Sequence, residues 1–208
     1  MATFCPTVLA STKEEYAEQI KRVSFAPRIQ LDFMDGVFAP TTSIDLKDAW
    51  WPPNNKADLH LMYQTPMDYL DIILKSKPNL VIIHAEADVH HMHFAAELHK
   101  EGIKTGLCVL PETSIESVED ILNSFDHLLI FGGNLGHFGG QADLGQLSKI
   151  KEAKALHPDI EIGWDGGAND QNARQMVEAG VYVINVGGFI QKAESPEAAY
   201  QKLVAITE

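Results

Sequence analysis

Short apolar runs recur along the chain, and polar residues or glycine pairs gather where these runs end. Most of the gaps between runs have the apolar spacing of an amphipathic helix, which predicts repeated βα units. Eight such units close into a (β/α)8 TIM barrel, whose active site lies at the carboxyl ends of the strands. The polar strand ends therefore predict an enzyme. The runs are 4–11, 28–36, 56–62, 80–86, 104–110, 127–133, 160–167 and 181–188.

Several helix starts carry local signals. Ser11 or Thr12 stands ahead of the acidic pair 14–15, as expected of an N-cap followed by first-turn acids. Pro66 and Pro196 each open an amphipathic stretch, and proline is favoured in the first turn of a helix. These signals place helices after the first, third and eighth strands.

The segment 37–55 is irregular, with three prolines and the tryptophan pair Trp50 and Trp51. It is interpreted as a βα loop near the mouth of the barrel. The tryptophans either cover a ligand or fill an interface, and the sequence leaves both readings open.

Composition and charge restrict the class of protein. The 208 residues, 45% of them hydrophobic, are expected to form a single barrel domain spanning 1–208. A net charge of −13 offers no basic face for a nucleic acid or an anionic membrane. The two cysteines, Cys5 and Cys108, are too few for a disulfide framework and predict reduced thiols in a cytoplasmic protein. No apolar run reaches the length of a membrane span, and no signal peptide is recognisable.

Alternation along two neighbouring strands places polar side chains on one face of each. If these faces point inward, they converge with Asp165 at the end of the seventh strand. Two carboxylates on opposite sides of a planar intermediate are suited to removing a proton from one face and delivering it to the other. A single buried Asp is more often a cap or a paired core acid, but several polar strand ends together favour a site. The two sets are Gln30, Asp32 and Met34, and Asp58, His60 and Met62.

Glycine pairs follow the last three strands. Glycine lets backbone N–H groups approach an anion closely, and the loops after strands seven and eight of such barrels frequently bind phosphate. One glycine pair alone is usually only a turn, whereas three at adjacent strand ends indicate a phosphate site. Because 160–190 contains only Arg174 as a basic residue, no lysine or arginine is expected to be required. The pairs are Gly139 and Gly140, Gly166 and Gly167, and Gly187 and Gly188.

Over nearly its full length the chain resembles the ribulose-phosphate 3-epimerase family. The segments that carry the resemblance are LDFMDGVFAP, ADLHLM, HAEA, HFGGQ, IGWDGGAN and VINVGGFI. The resemblance implies interconversion of ribulose 5-phosphate and xylulose 5-phosphate at C3, with Asp32 and Asp165 as the acid/base pair. It further implies a divalent metal at Asp32, His60 and Asp165, and a homo-oligomer, dimeric or larger. Thr7, Met34, Met62 and Gln141 would line the substrate pocket.

The chain departs from the family pattern at several positions. Gln30 stands where the family has its first metal-ligand His, and an amide oxygen is a poorer match than imidazole to zinc or iron. The ligand set Gln30, Asp32, His60 and Asp165 would suit manganese or magnesium better, so the identity of the metal stays open. Gly188 replaces a common serine, and the loop after the sixth strand lacks the family's Met and Pro. These departures leave the true substrate open.

Two alternative functions remain. One is a related barrel that acts on another keto-sugar phosphate by isomerisation or decarboxylation, although the third strand has His60 where decarboxylase relatives have lysine. The other is a non-catalytic barrel that binds a phosphate ligand and has a degraded metal site. Retention of both Asp32 and Asp165 argues against this second alternative.

Other histidines and one glutamate carry weaker signals. His84 and Glu86 end the fourth strand and are open between structural and substrate-contacting roles. For His90, His91 and His93 a solvated helix start is favoured over a metal cluster. His137, near the glycine pair after the sixth strand, either contacts phosphate or faces solvent.

Overall fold

The computed structural model describes residues 2–137 and 139–207. Eight parallel strands form a closed barrel in which each strand pairs with its neighbour in sequence and β8 pairs with β1. The predicted TIM barrel is therefore confirmed. The strands are β1 Thr3–Val8, β2 Arg28–Met34, β3 Lys56–Met62, β4 Leu80–His84, β5 Lys104–Val109, β6 His127–Phe131, β7 Glu161–Asp165 and β8 Val183–Val186.

Helices follow the strands and cover the outside of the barrel. Most gaps between strands contain an α-helix, but the gap between β2 and β3 has only a short 3₁₀ turn. The α-helices are α1 Lys13–Val23, α2 Leu70–Ser76, α3 His91–Lys100, α4 Glu119–Leu122, α5 Lys149–Leu156, α6 Ala173–Ala179, α7 Gly188–Gln191 and α8 Pro196–Val204. The 3₁₀ turns are Leu46–Asp48, Pro66–Tyr69, Glu116–Val118 and Leu144–Ser148. Among the described residues, no helix has both the length and the hydropathy needed to cross a membrane.

The capping signals have structural counterparts. The Thr12 hydroxyl accepts a hydrogen bond from the amide of Glu15 at 3.1 Å, which satisfies a free N–H at the start of α1. Pro196 begins α8, and the Ser195 side chain caps it. Pro66 opens a 3₁₀ turn that leads directly into α2.

The irregular loop 37–55 packs on the barrel wall through aromatic side chains. Trp50 is 48% exposed and meets the ring of Tyr16 edge to face at 6.0 Å. Trp51 is half-buried against the core. Neither tryptophan lines the cavity described below, so a direct ligand-covering role has no support from their positions.

A polar network closes the amino-terminal end of the barrel interior. Arg28 donates to Asp58 at 2.6 Å and to Glu161 at 2.9 Å, and Glu161 also lies 2.9 Å from Nδ1 of His127. Asp58 shares the inward face of β3 with His60, yet it belongs to this network. Asp58 therefore lies away from the other polar residues of these two strands, because residues two apart on a strand lie at different depths in the barrel.

Candidate active site

A cavity of about 330 Å³ opens at the carboxyl ends of the strands. Its floor holds Asp32, His60 and Asp165, and its wall is formed by the turns after β6, β7 and β8. This is the position that the barrel fold assigns to active sites.

The two carboxylates on the floor share hydrogen-bond donors. Nε2 of Gln30 donates to Oδ1 of Asp32 at 2.9 Å and to Oδ2 of Asp165 at 2.5 Å. Nδ1 of His60 lies 3.1 Å from Oδ1 of Asp32 and 3.6 Å from Oδ2 of Asp165. Strand pairing explains why Asp32 and His60 are close, because they are direct neighbours across β2 and β3. Asp165 reaches the same point from β7.

Burial and mutual repulsion set the ionisation of the cluster. Burial raises the pKa of Asp32, and the nearby Asp165 raises it further, against the opposing effect of His60 and Gln30. Burial alone would lower the pKa of His60, but Asp165 and Asp32 reverse this and raise it well above its ordinary value. A carboxyl with a raised pKa next to a second carboxyl is a common arrangement for proton transfer.

The donor set of the floor fits a hard divalent cation. One oxygen each from Asp32 and Asp165 and one nitrogen of His60 lie within 4.8 Å of one another. Oε1 of Gln30 is buried without a hydrogen-bond partner, and turning the amide over would point this oxygen at the carboxylates. Such an oxygen is repelled by them unless a cation lies between. An oxygen-rich set with a single imidazole suits manganese or magnesium better than zinc.

The six glycines predicted to bind phosphate all line one wall of the cavity. The turns lie close together: a Cβ on Gly188 would be 3.6 Å from Cα of Gly139. A Cβ on Gly166 would approach the amide nitrogen of Gly133 to 2.2 Å, so this position excludes any side chain. Gly166 also has a φ of +116°, which favours glycine.

Lys192 changes the expected phosphate site. It lines the cavity beside these turns, and its Nζ would lie 4.0 Å from a Cβ on Gly139. A basic side chain therefore stands beside the glycine turns, and whether phosphate binding requires it stays a prediction. Lys192 lies two residues beyond the span 160–190, directly after α7, and α7 carries the chain back to the cavity. Arg174 is exposed on α6 and does not line the cavity.

The remaining pocket predictions divide into two groups. Thr7 and Met62 line the cavity. Met34 is buried beside Met62 and Ala39, and its sulfur accepts a hydrogen bond from the Thr41 hydroxyl, so it lies behind the lining.

Gln141 is exposed and outside the cavity. The backbone at 141–142 packs closely on Gly167, and the Gln141 side chain lies on the solvent side.

Sequence reasoning missed Asn185 as well as Lys192. Asn185 lines the cavity from β8, is 2% exposed, and has an Oδ1 without a hydrogen-bond partner. An amide inside the apolar run of the eighth strand was the available signal, since buried polar groups ordinarily have partners.

The structure gives a position to each histidine whose role the sequence left open. His137 is exposed at the cavity. His90 caps the first turn of α3, where its Nδ1 accepts from the amide of His93, in agreement with a helix start.

His84 is fully buried, with Nε2 at 2.9 Å from Nε2 of His60. Burial would raise the pKa of Glu86, but the nearby His84 and a hydrogen bond from the Thr113 hydroxyl lower it to about 2.

Fold and floor together define a TIM-barrel enzyme with a paired carboxylate site. The sequence model of the ribulose-phosphate 3 epimerase family matches residues 3–190, so the chain belongs to this family and is an isomerase. A ribulose-phosphate 3-epimerase of Helicobacter pylori is 30% identical over 206 residues, covering 95% of this chain and 94% of that protein. One of Bacillus subtilis is 32% identical over 202 residues, covering 91% and 92%.

Solved structures support the fold alone. A 3-hexulose-6-phosphate synthase superposes with a TM-score of 0.71 at 16% identity, covering 98% of this chain and 99% of that chain. A tryptophan synthase alpha-subunit of Pyrococcus furiosus gives 0.73 at 15% identity, covering 99% and 97%.

Proposed function

We propose that the chain interconverts D-ribulose 5-phosphate and D-xylulose 5-phosphate by moving a proton at C3. The observation that carries this proposal is the pairing of Asp32 and Asp165 through shared donors on the floor of a cavity. The family supports the reaction class. The enzyme would act in the cytoplasm on a pentose phosphate, as a homo-oligomer.

Two carboxylates divide the proton transfer. One Asp removes the C3 proton, and the electron pair left behind forms an enediolate with the C2 carbonyl. The other Asp, protonated at the start, delivers its proton to the opposite face of C3. The carboxylates thereby exchange protonation states, and solvent restores them. The raised pKa of Asp32, caused first by burial, favours a protonated partner beside an ionised one.

Neighbouring side chains orient the pair. Gln30 and His60 hold one oxygen of each carboxylate, which leaves the others for substrate. Met62 supplies an apolar surface at the cavity and so keeps water from the intermediate. Asp32, His60 and Asp165 would hold a divalent metal, with Gln30 as the fourth ligand, and such an ion would stabilise negative charge on the substrate oxygens.

The phosphate would lie against the glycine wall. Backbone N–H groups of the turns at Gly139, Gly140, Gly166, Gly167, Gly187 and Gly188 would donate to its oxygens. Lys192 supplies the cation that these turns lack. The floor and this wall line the same cavity of about 330 Å³, so one small phosphorylated substrate could contact both.

Deuterium exchange tests the reaction directly. In heavy water the enzyme is expected to incorporate deuterium at C3 of ribulose 5-phosphate and to produce xylulose 5-phosphate. Asp32→Asn and Asp165→Asn should each abolish exchange while the protein stays folded, as judged by circular dichroism. Asp71→Asn, at an exposed position of α2, is the matched control and should leave exchange unchanged. Near-normal exchange in either folded variant would refute the two-carboxylate mechanism.

A further inference from the structure

A second cluster of ligand-type side chains lies beside the carboxylates, buried inside the barrel. It consists of His60, His84 and Cys108 on the adjacent strands β3, β4 and β5. One ring nitrogen of each histidine and the sulfur lie within 4.8 Å of one another. All three side chains are at most 1% exposed. The proposed reaction uses neither His84 nor Cys108.

Each imidazole of this cluster has a carboxylate at its outer nitrogen. Nδ1 of His60 lies 3.1 Å from Asp32, and Nδ1 of His84 lies 3.5 Å from Oε2 of Glu86. Neither Nδ1 of His84 nor Oε2 of Glu86 has a hydrogen-bond partner among the described residues. A small movement would therefore let these two atoms hydrogen-bond to each other. A carboxylate at Nδ1 favours the tautomer with the hydrogen on that nitrogen.

This tautomer leaves the two inner nitrogens as acceptors that face each other. The Nε2 atoms are only 2.9 Å apart, and two lone pairs at that distance repel unless a proton or a cation lies between them. Carboxylate–imidazole pairs with the second nitrogen free are the usual support of metal-bound histidines. The Cys108 sulfur completes a set of two nitrogens and one sulfur.

We propose that His60, His84 and Cys108 form a binding site for a borderline-soft divalent transition metal such as zinc. The chemistry of the donors selects the metal class, since thiolate and imidazole favour zinc over magnesium or calcium. Three protein ligands are the number that zinc keeps when a small molecule takes the fourth position. Binding displaces the proton held between the imidazoles and the thiol proton of Cys108, and both pass to solvent.

The geometry requires only a small adjustment. Two nitrogens bound tetrahedrally at about 2.0 Å from zinc lie about 3.3 Å apart, a few tenths of an ångström more than the Nε2 separation observed here. The rings are nearly stacked, with an interplanar angle of 25°, so slight rotation opens them. His60 also borders the cavity, which gives the ion a path inward.

The new site is distinct from the carboxylate site, although they share one ring. The carboxylate site uses Nδ1 of His60, whereas the cluster uses Nε2, so a neutral His60 serves one site at a time. The proposal therefore does not depend on the proposed epimerase reaction, and its test uses no activity measurement.

Cobalt substitution gives a spectroscopic test. Metal-free protein titrated with Co²⁺ is expected to show, at one equivalent, the near-ultraviolet charge-transfer band of a thiolate–cobalt bond. Cys108→Ser should abolish the band. Cys5→Ser removes the other fully buried thiol and is the matched control that should keep it. Asp165→Asn, which disables the carboxylate site, should keep it as well.

Zinc affinity gives a second readout. Cys108→Ser and His84→Gln should lower zinc affinity by about 100-fold or more. Glu86→Gln should lower it by about 10- to 100-fold, the usual effect of removing a residue that hydrogen-bonds to a metal ligand. If the cysteine variant does not fold, X-ray absorption of the zinc-loaded parent decides, with a sulfur expected at about 2.3 Å. A parent without a thiolate band, a band that survives in Cys108→Ser, or loss of the band in Asp165→Asn would overturn the proposal.

Discussion

Gln30 is the side chain that links the two carboxylates on the floor of the cavity. Its amide group donates to Asp32 and Asp165 together, and so occupies the place between the carboxylates that a cation would otherwise take. A histidine at this position would instead offer a ring nitrogen to a metal. We therefore expect this one residue to set how strongly the carboxylate site would bind zinc.

Gln30→His is expected to raise zinc affinity at the carboxylate site by about one to two orders of magnitude. This is the size of change in metal affinity that follows from altering residues hydrogen-bonded to metal ligands. The measurement is a zinc titration of Gln30→His and the parent, both carrying Cys108→Ser so that only the carboxylate site is observed. Equal affinities would show that position 30 does not contribute to the metal site.

Lys192 is the second residue whose role follows from its position. Lys192→Met should raise the KM for the sugar phosphate by about threefold to fivefold, the scale of an exposed ion pair, with a smaller effect on kcat. Lys75→Met, which removes the same charge from an exposed position of α2, is the control. An unchanged KM would place the phosphate away from Lys192.

At the scale of elements, the apolar runs predicted all eight strands, because strand periodicity is a local property of the sequence. The inward faces of β2 and β3 also followed from alternation. The depth of each side chain along the barrel axis did not follow from alternation. It depends on the stagger between strands, which is set by tertiary pairing. For this reason Asp58 was grouped with His60, although it pairs with Arg28 at the other end.

The same limit explains which site residues escaped prediction. Lys192 reaches the cavity only because α7 turns back after β8, and no local pattern encodes that return. His84 and Cys108 meet His60 across three strands. Their proximity depends on the register of β4 with β5, in which His84 pairs directly with Cys108.

The turns after β6 and β7 depend on each other through glycine. Gly166→Ala should destabilise the protein by about 2–5 kcal/mol, because it adds strain at positive φ and a clash with the backbone of Gly133. Gly188→Ala is the matched control: a Cβ there makes only ordinary contacts and should change the free energy of unfolding by less than about 1 kcal/mol. Denaturant titration measures both, and similar effects of the two substitutions would contradict this account.

At the scale of the whole molecule, the two ends of the barrel differ in their electrostatics. The carboxyl end keeps its floor open to a cavity. The amino end is closed by Arg28, which pairs with Asp58 and Glu161, and Glu161 also contacts His127. In a chain with a net charge of −13, this closed network stabilises the fold in a way that depends on pH.

Glu161 gives that dependence a definite direction. Burial would raise its pKa, but hydrogen bonds from His127 and Arg28 lower it from 4.5 to about 2. A depressed carboxyl pKa stabilises the folded state above the unfolded pKa, and this stabilisation is lost as pH falls toward the folded pKa. The loss should therefore occur between about pH 4.5 and 2, with an upper value of about 3 kcal/mol.

Glu161→Gln should remove this contribution while keeping a side chain that can still accept from His127. The free energy of unfolding is measured from about pH 7 down to pH 3 for the parent, for Glu161→Gln, and for the exposed control Glu178→Gln. The parent should be the more stable protein at neutral pH, and its advantage over Glu161→Gln should shrink as pH falls below about 4.5. Glu178→Gln should follow the parent throughout. An advantage that stays constant with pH would mean that packing of the side chain, and not its charge, holds the amino end of the barrel together.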